Sequence, residues 1–520
     1  MSSALRYAWF ASLLLASSCY PPGDGREPSL DRIYFPVGLA LDPDANELYV
    51  VNSDFDLQFN AGTVQALDLQ EVRALLPRPC GADADCDAGR VCDLPARSAV
   101  PSYFCVDPDS DNPCAPLPLR SAAERLIVPG LCGHIDPASP PAAAGVEGSL
   151  IIEGAAVSIS AFATDVLYRA RPDGGGGRLF IPVRGDATLH YIDVAPDGHF
   201  ECDQEGAIRR CGDRHRVGDE PAEETRRGQR MAAEPFGVAA SPDGSAILTT
   251  HQTEGAVSLF VNDWDAGPEL TFVLGGLPSR PIGIAALPEL VAGQHEAPGF
   301  LVTFRNAAEV RLLRYFSAAK AGEGQAYVQD LGQTDIRTNS VGFDSRGIAV
   351  DETERRACGA RCASDETECL EACATLPVGV YVANRTPSSL LVGATQPASD
   401  DVPSDDLPEF FDVAPLPFGA SRIVTGTIIN PSGEPEPRVF VLSFDARRLL
   451  VYDPVRRREE TWITTGRGPH ALAIDAAHGL GYVAHFTDSY IGVLDLDQRH
   501  RTFGQLIATI GRPTPPRASK

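Results

Sequence analysis

The stretch Pro469–Asp497, PHALAIDAAHGLGYVAHFTDSYIGVLDLD, decides the fold, because degraded copies of it recur from near the N-terminus onward. It contains three short apolar runs, 471–475, 481–484 and 490–496, with turn residues between them. Each run is too short to be stable alone, so the unit predicts stacking against further copies.

Two marks align the copies: a Pro-x-Gly turn entering the first strand and a Tyr-Val-x-Asn type of ending on the second. Fourteen residues separate Gly38 from Asn52, Gly237 from His251 and Ala471 from His485. Longer copies run from Pro281-Ile282-Gly283 to Phe304, from Arg346-Gly347 to Asn384 and from Pro417-Phe418-Gly419 to Ser443; the most degenerate ends at Phe180-Ile181-Pro182-Val183. Pro242-Asp243-Gly244 and Ala477-His478-Gly479 supply turn chemistry between the first two strands. Seven units with periods of roughly 40 to 50 residues predict an all-β, seven-bladed β-propeller spanning 32–512. Either 32–35 or 505–510 could supply the strand that closes the ring.

These marks resemble the YVTN-type β-propeller repeat family. The resemblance implies a secreted or envelope protein. Propellers of this kind include lactonases, haem-domain propellers of nitrite reductases and non-enzymatic binders, so the fold does not choose the function.

Residues 1–19 read as an export signal, with Arg6 before a short apolar run, and Leu15-Ala16-Ser17-Ser18-Cys19 resembles a bacterial lipobox. Cys19 is the expected lipidation site and 20–31 a tether. The expected localisation is an exported chain lipid-anchored to the cell envelope, at the outer membrane, with no other membrane contact. The apolar run is far below the ~20 residues that span a bilayer.

The other twelve cysteines, in an oxidising compartment, predict disulfides. Cys80, Cys86, Cys92, Cys105, Cys114 and Cys132 staple an insertion over 77–147, with connectivity left open. Cys202 and Cys211 flank a short loop and are expected to pair. Cys358, Cys362, Cys369 and Cys373 suit two short helices over 354–376, joined Cys358 to Cys373 and Cys362 to Cys369; a zinc site is the alternative, without the tight Cys-x2-Cys knuckle. Asp107, Asp109 and Asp111 alternate as in a calcium loop, but Asn112 replaces the glycine and Pro118 the bidentate glutamate, so a solvated acidic turn is expected. Ser399–Asp406 and Asp213–Arg230 read as exposed connections.

Forty-four basic against seventy acidic residues give a net charge of −26, which disfavours nucleic acid and anionic lipid surfaces. His-Glu-x-x-His, Gly-x-Ser-x-Gly and Cys-x-x-Cys-His are all absent. Candidate ligand-binding positions are those where one unit breaks its repeat's rule. Arg346 and His470 fill the otherwise apolar x of Pro-x-Gly, His251 and His485 end second strands, and Arg184 follows Val183. The histidines could equally be hydrogen-bonded substitutes for the Asn of other units.

The leading expectation is a monomeric, non-catalytic binding scaffold for an envelope protein or an extracellular glycan, with no cofactor and no metal. The alternative is a lactonase-like or metal-assisted hydrolase at the channel mouth. There Arg184 and Arg346 would hold an anion, and His251, His470 or His485 would serve as base or ligand. A redox propeller with a non-covalent cofactor is a third reading.

Overall fold

The computed structural model describes residues 25–95, 102–143, 145–219, 230–289, 297–319, 324–336, 344–363, 366–395 and 406–514. The export signal, Cys19 and most of the two loops 213–230 and 399–406 lie outside them. Seven sheets follow one another along the chain, each built on antiparallel strands in sequence order from the channel outward; a short parallel strand, His134–Ile135, is added outside the seventh. These are the seven blades the repeat predicted. Their innermost strands are Pro36–Leu41, Leu167–Ala170, Pro235–Ala240, Pro281–Ala286, Ser345–Asp351, Ala420–Ile429 and Pro469–Asp475. A fourth, outer strand completes each blade, such as Gly267–Leu274 in blade 3 and Arg458–Thr464 in blade 6.

The core is divided rather than central. Seven apolar clusters each fill the space between two neighbouring blades, as where Tyr49, Val51 and Val64 of blade 1 meet Leu179, Ile181 and Val183 of blade 2. Along the second strand of blade 1, Leu48 and Val50 face blade 7 while Tyr49 and Val51 face blade 2. Both faces of these strands are therefore buried, which is why Leu-Tyr-Val-Val reads as a continuous apolar run.

Where inner strands crowd the axis, glycine is required by space. A Cβ on Gly237 would lie 2.6 Å from the Ile282 carbonyl oxygen of the next blade. Gly237→Val should therefore lower stability by about 1–3 kcal/mol, the usual cost of overpacking. An unchanged denaturation midpoint would show that the blades can part there.

Among the described residues each blade takes its four antiparallel strands from its own stretch of chain, and blade 7 alone adds a distant one, His134–Ile135, at its outer edge. Residues 506–510 form the fourth strand of blade 7, Leu506–Ile510, whereas residues 32–35 join no strand, and Phe35 reaches blade 7 by donating its amide to Ser489 Oγ (3.1 Å). The seam between blades 7 and 1 is closed by the cysteine-rich segment, which leaves blade 1 after its third strand, Gly62–Asp68, and returns as its fourth, Ile151–Ile159. On the way Leu131 and Cys132 donate to Leu506 and Ile507 carbonyls (3.2 and 2.7 Å), and His134–Ile135 pairs in parallel with Leu506–Ile510. Arg120 donates to Thr509 Oγ1 (2.7 Å), and Arg73 pairs with Asp475 (3.2 Å). Phe104, Leu117 and Ile135 join the apolar cluster of this seam.

The twelve cysteines form six disulfides: Cys80–Cys92, Cys86–Cys105, Cys114–Cys132, Cys202–Cys211, Cys358–Cys373 and Cys362–Cys369. The last two staple the helices Thr353–Gly359 and Thr367–Ala374, as their spacing predicted. Asp107 makes a surface ion pair with Arg90 (3.5 Å) and its carbonyl closes a turn with Ser110.

Candidate functional site: the channel mouth

Strand register fixes which residues face the channel. At the mouth end of the blades the paired residues are Pro36 with Asn52, Ala163 with Val183 (an isolated bridge ahead of Leu167–Ala170), Pro235 with His251, Pro281 with Phe304, Ser345 with Asn384, Ala420 with Ser443 and Pro469 with His485. In blade 6 this corrects the sequence alignment: Ala420-Ser421-Arg422, three residues beyond Pro417-Phe418-Gly419, occupies the Pro-x-Gly slots. The chain enters that strand late, so the motif's letters and its place separate.

The x slot therefore holds Val37, Thr164, Phe236, Ile282, Arg346, Ser421 and His470, one per blade, and all seven line a cavity of about 250 Å³ at the channel mouth. The residue just after each of these paired second-strand positions adds Ser53, Arg184, Arg385, Phe444 and Phe486. Strand-ending residues point the other way, because successive side chains alternate. His251 hydrogen-bonds Ser258 Oγ (2.8 Å) and the Ala233 carbonyl (3.1 Å), fully buried in blade 3. His485 accepts the Gly466 amide at Nε2 (3.0 Å) and stacks on Tyr490 with centroids 4.2 Å apart. Neither reaches the mouth. Both do the job of Asn52, which accepts the Tyr34 amide (2.9 Å) and donates to Thr63 (3.0 Å).

Of the sequence candidates, Arg184, Arg346 and His470 thus meet in one cavity; Arg385 and Arg422 join them. Each guanidinium is held from behind by a carboxylate: Arg184 by Glu234 (2.8 Å), Arg346 by Asp344 (3.0 Å), Arg385 by Asp445 (2.5 Å) and Arg422 by Asp165 (2.7 Å). None of these four carboxylates lines the mouth cavity. The cations are pre-oriented yet face the opening, a geometry suited to bidentate recognition of carboxylate or phosphate.

Aromatic rings line the same cavity. Phe55 packs against Phe162 and Phe486 (6.1 and 5.2 Å), and Phe486 against Phe444 and His470 (6.2 and 5.7 Å). His470 Nδ1 lies 2.9 Å from the Val37 carbonyl oxygen. Since only a protonated nitrogen can donate there, the neutral ring keeps its Nε2 lone pair free. Burial, and then the neighbouring Arg422, push its pKa down to about 3.

Below the x slot, five blades place Gly38, Gly237, Gly283, Gly347 and Ala471, and the remaining two place Asp165 and Arg422. An aliphatic ring follows, including Leu39, Val166, Ile284 and Leu472.

No protein-family model and no curated protein matches the chain. Among solved structures it is similar to a putative 6-phosphogluconolactonase from Bacteroides uniformis (11% identity, 83% of this chain and 86% of that one, TM-score 0.41). It is also similar to the periplasmic gluconolactonase PpgL of Pseudomonas aeruginosa (12%, 83% and 86%, TM-score 0.42) and to hydrazine synthase of Kuenenia stuttgartiensis (10%, 92% and 99%, TM-score 0.43).

Proposed function

We propose that the channel mouth binds a small organic anion with a flat apolar body. The observation that carries this reading is the convergence of Arg184, Arg346, Arg385 and Arg422 on one small cavity that Phe55, Phe162, Phe236, Phe444 and Phe486 also line. In a chain of net charge −26, a cation-lined pocket also concentrates anions that the rest of the surface repels. A cavity of about 250 Å³ suits a small molecule better than the protein or glycan partner expected from the sequence, which would use the outer loops. Export and lipidation at Cys19 belong to the same proposal, with the propeller held at the envelope. Titration calorimetry with benzoate and phenyl phosphate should show saturable 1:1 binding, weakened at least about tenfold by Arg346→Ala. Binding of neither probe, or equal binding by the variant, would sink this reading.

One observation favours a second reading, hydrolysis of an anionic lactone or ester: the lone pair at Nε2 of His470, in the cavity that the four arginines also line. Nε2 would take a proton from water as its oxygen attacks the carbonyl carbon, and would return it to the departing alkoxide as the C–O bond breaks. A base held near pKa 3 is weak at neutral pH. Turnover would depend on the bound anion raising that value. If so, a lactone panel should be hydrolysed by the wild type and not by His470→Gln; equal rates would leave the site as a binder.

A further inference from the structure

The two exceptions to the small-residue ring have opposite charges and stand in blades 2 and 6, which are not neighbours in the ring. Blades 7 and 1 lie between them on one side, blades 3 to 5 on the other. A contact between these inner strands must cross the channel. It does: Arg422 Nη1 donates to Asp165 Oδ1 (2.7 Å), and Nη2 to the Thr164 carbonyl (3.0 Å). Thr164 is itself fixed, its hydroxyl donating to the Phe236 carbonyl (2.8 Å). The pair lies between the mouth cavity and the aliphatic ring, where half-buried charges attract more strongly than in open water. A glycine in either slot would leave the other charge without its partner inside the channel.

We infer that Arg422 forms the floor of the mouth site and that Asp165, beneath the cavity, is a positioning residue that stretches Arg422 across the channel, so that the guanidinium meets the anionic end of the ligand from below. The inference rests on the reading of the mouth as an anion site. It also gives that site its depth limit, because a ligand stops at the bridge instead of threading the channel. The ligand class follows: a single anionic head, carboxylate or phosphate, directed down the axis, with the apolar body against Phe55, Phe444 and Phe486.

The test is a double-mutant cycle with phenyl phosphate as the probe, on the full disulfide-bonded chain. Asp165→Asn and Arg422→Gln should each weaken binding at least about tenfold, and the double variant no further, since one acts through the other. The exchanged pair, Asp165→Arg with Arg422→Asp, should recover most of the affinity by rebuilding the bridge in reverse. Unchanged binding by Asp165→Asn, or losses that simply add, would overturn the positioning role. Thermal unfolding of the same variants is read in parallel. If wild type binds neither phenyl phosphate nor benzoate, the anion-site reading and the ligand role fall together. Coupling between positions 165 and 422 in unfolding then decides the bridge alone, and its absence would overturn that too.

Discussion

Replacing Cys114 and Cys132 by serine is expected to lower the unfolding free energy by about 3 kcal/mol and to make blade 7 the first to open. The entropic part follows from releasing a cross-link between residues 18 apart. Cys202–Cys211, 9 residues apart, predicts an entropic term smaller by well under 1 kcal/mol, so it serves as the control. What separates them is position. The Cys114–Cys132 bridge holds the segment that hydrogen-bonds along Leu506–Ile510 and closes the seam between the first and last blades, while Cys202–Cys211 staples a loop at the edge of blade 2. Hydrogen exchange should show amides of Leu506–Ile510 losing protection in the first variant, with those of Gly299–Phe304 in blade 4 unaffected. Equal destabilisation by both variants and uniform exchange would mean that the ring does not depend on this clamp.

Acid should destabilise the protein between about pH 6.5 and 4, and His251→Asn/His485→Asn should flatten that dependence. Burial pushes the pKa of His251 down to about 4 and that of His485 to about 3, against about 6.5 in an unfolded chain. Within that window the unfolded state binds more protons, so stability rises with pH. The contribution is complete above pH 6.5 and is lost as pH falls toward the folded values, on the order of 3 kcal/mol for each histidine. Asp54 works the opposite way. Burial raises its pKa to about 7, so its contribution is present in acid and fades as pH rises from about 4 through 7. Asparagine fills the same slot in blades 1 and 5, which makes the double variant a conservative one. Parallel stability curves for variant and wild type would show that these histidines are not the acid-sensitive groups.

The blades were legible because both faces of their middle strands are buried and their spacings repeat. The outer strands were not, since strands such as Arg458–Thr464 are partly exposed and carry charges that look like loop sequence. At the site, register decided what could be read. Arg346 and His470 stood out as polar breaks in an apolar slot. His251 and His485 broke a rule too, but in a slot that faces inward, where imidazole replaces an asparagine's hydrogen bonds. The informative slot was one residue later, which alternation along the strand would have indicated and which holds Arg184, Arg385, Phe444 and Phe486. Arg422 was hidden because the entrance to blade 6 is offset by three residues, and Asp165 because blade 2 lacks the Pro-x-Gly turn altogether. Their meeting across the channel is a tertiary fact with no local signal.

Because the four antiparallel strands of each blade come from one stretch of chain, the place where the ring is cut is a matter of connectivity alone. Arg32 donates to Thr514 Oγ1 (3.1 Å), so both ends of the propeller already stand side by side. A short linker joining them, with new termini opened between blades 3 and 4, would leave every ladder of hydrogen bonds intact. Such a permuted chain would place its weakest joint where no stapled segment bridges the gap, and the native start and finish would become an ordinary turn between two blades.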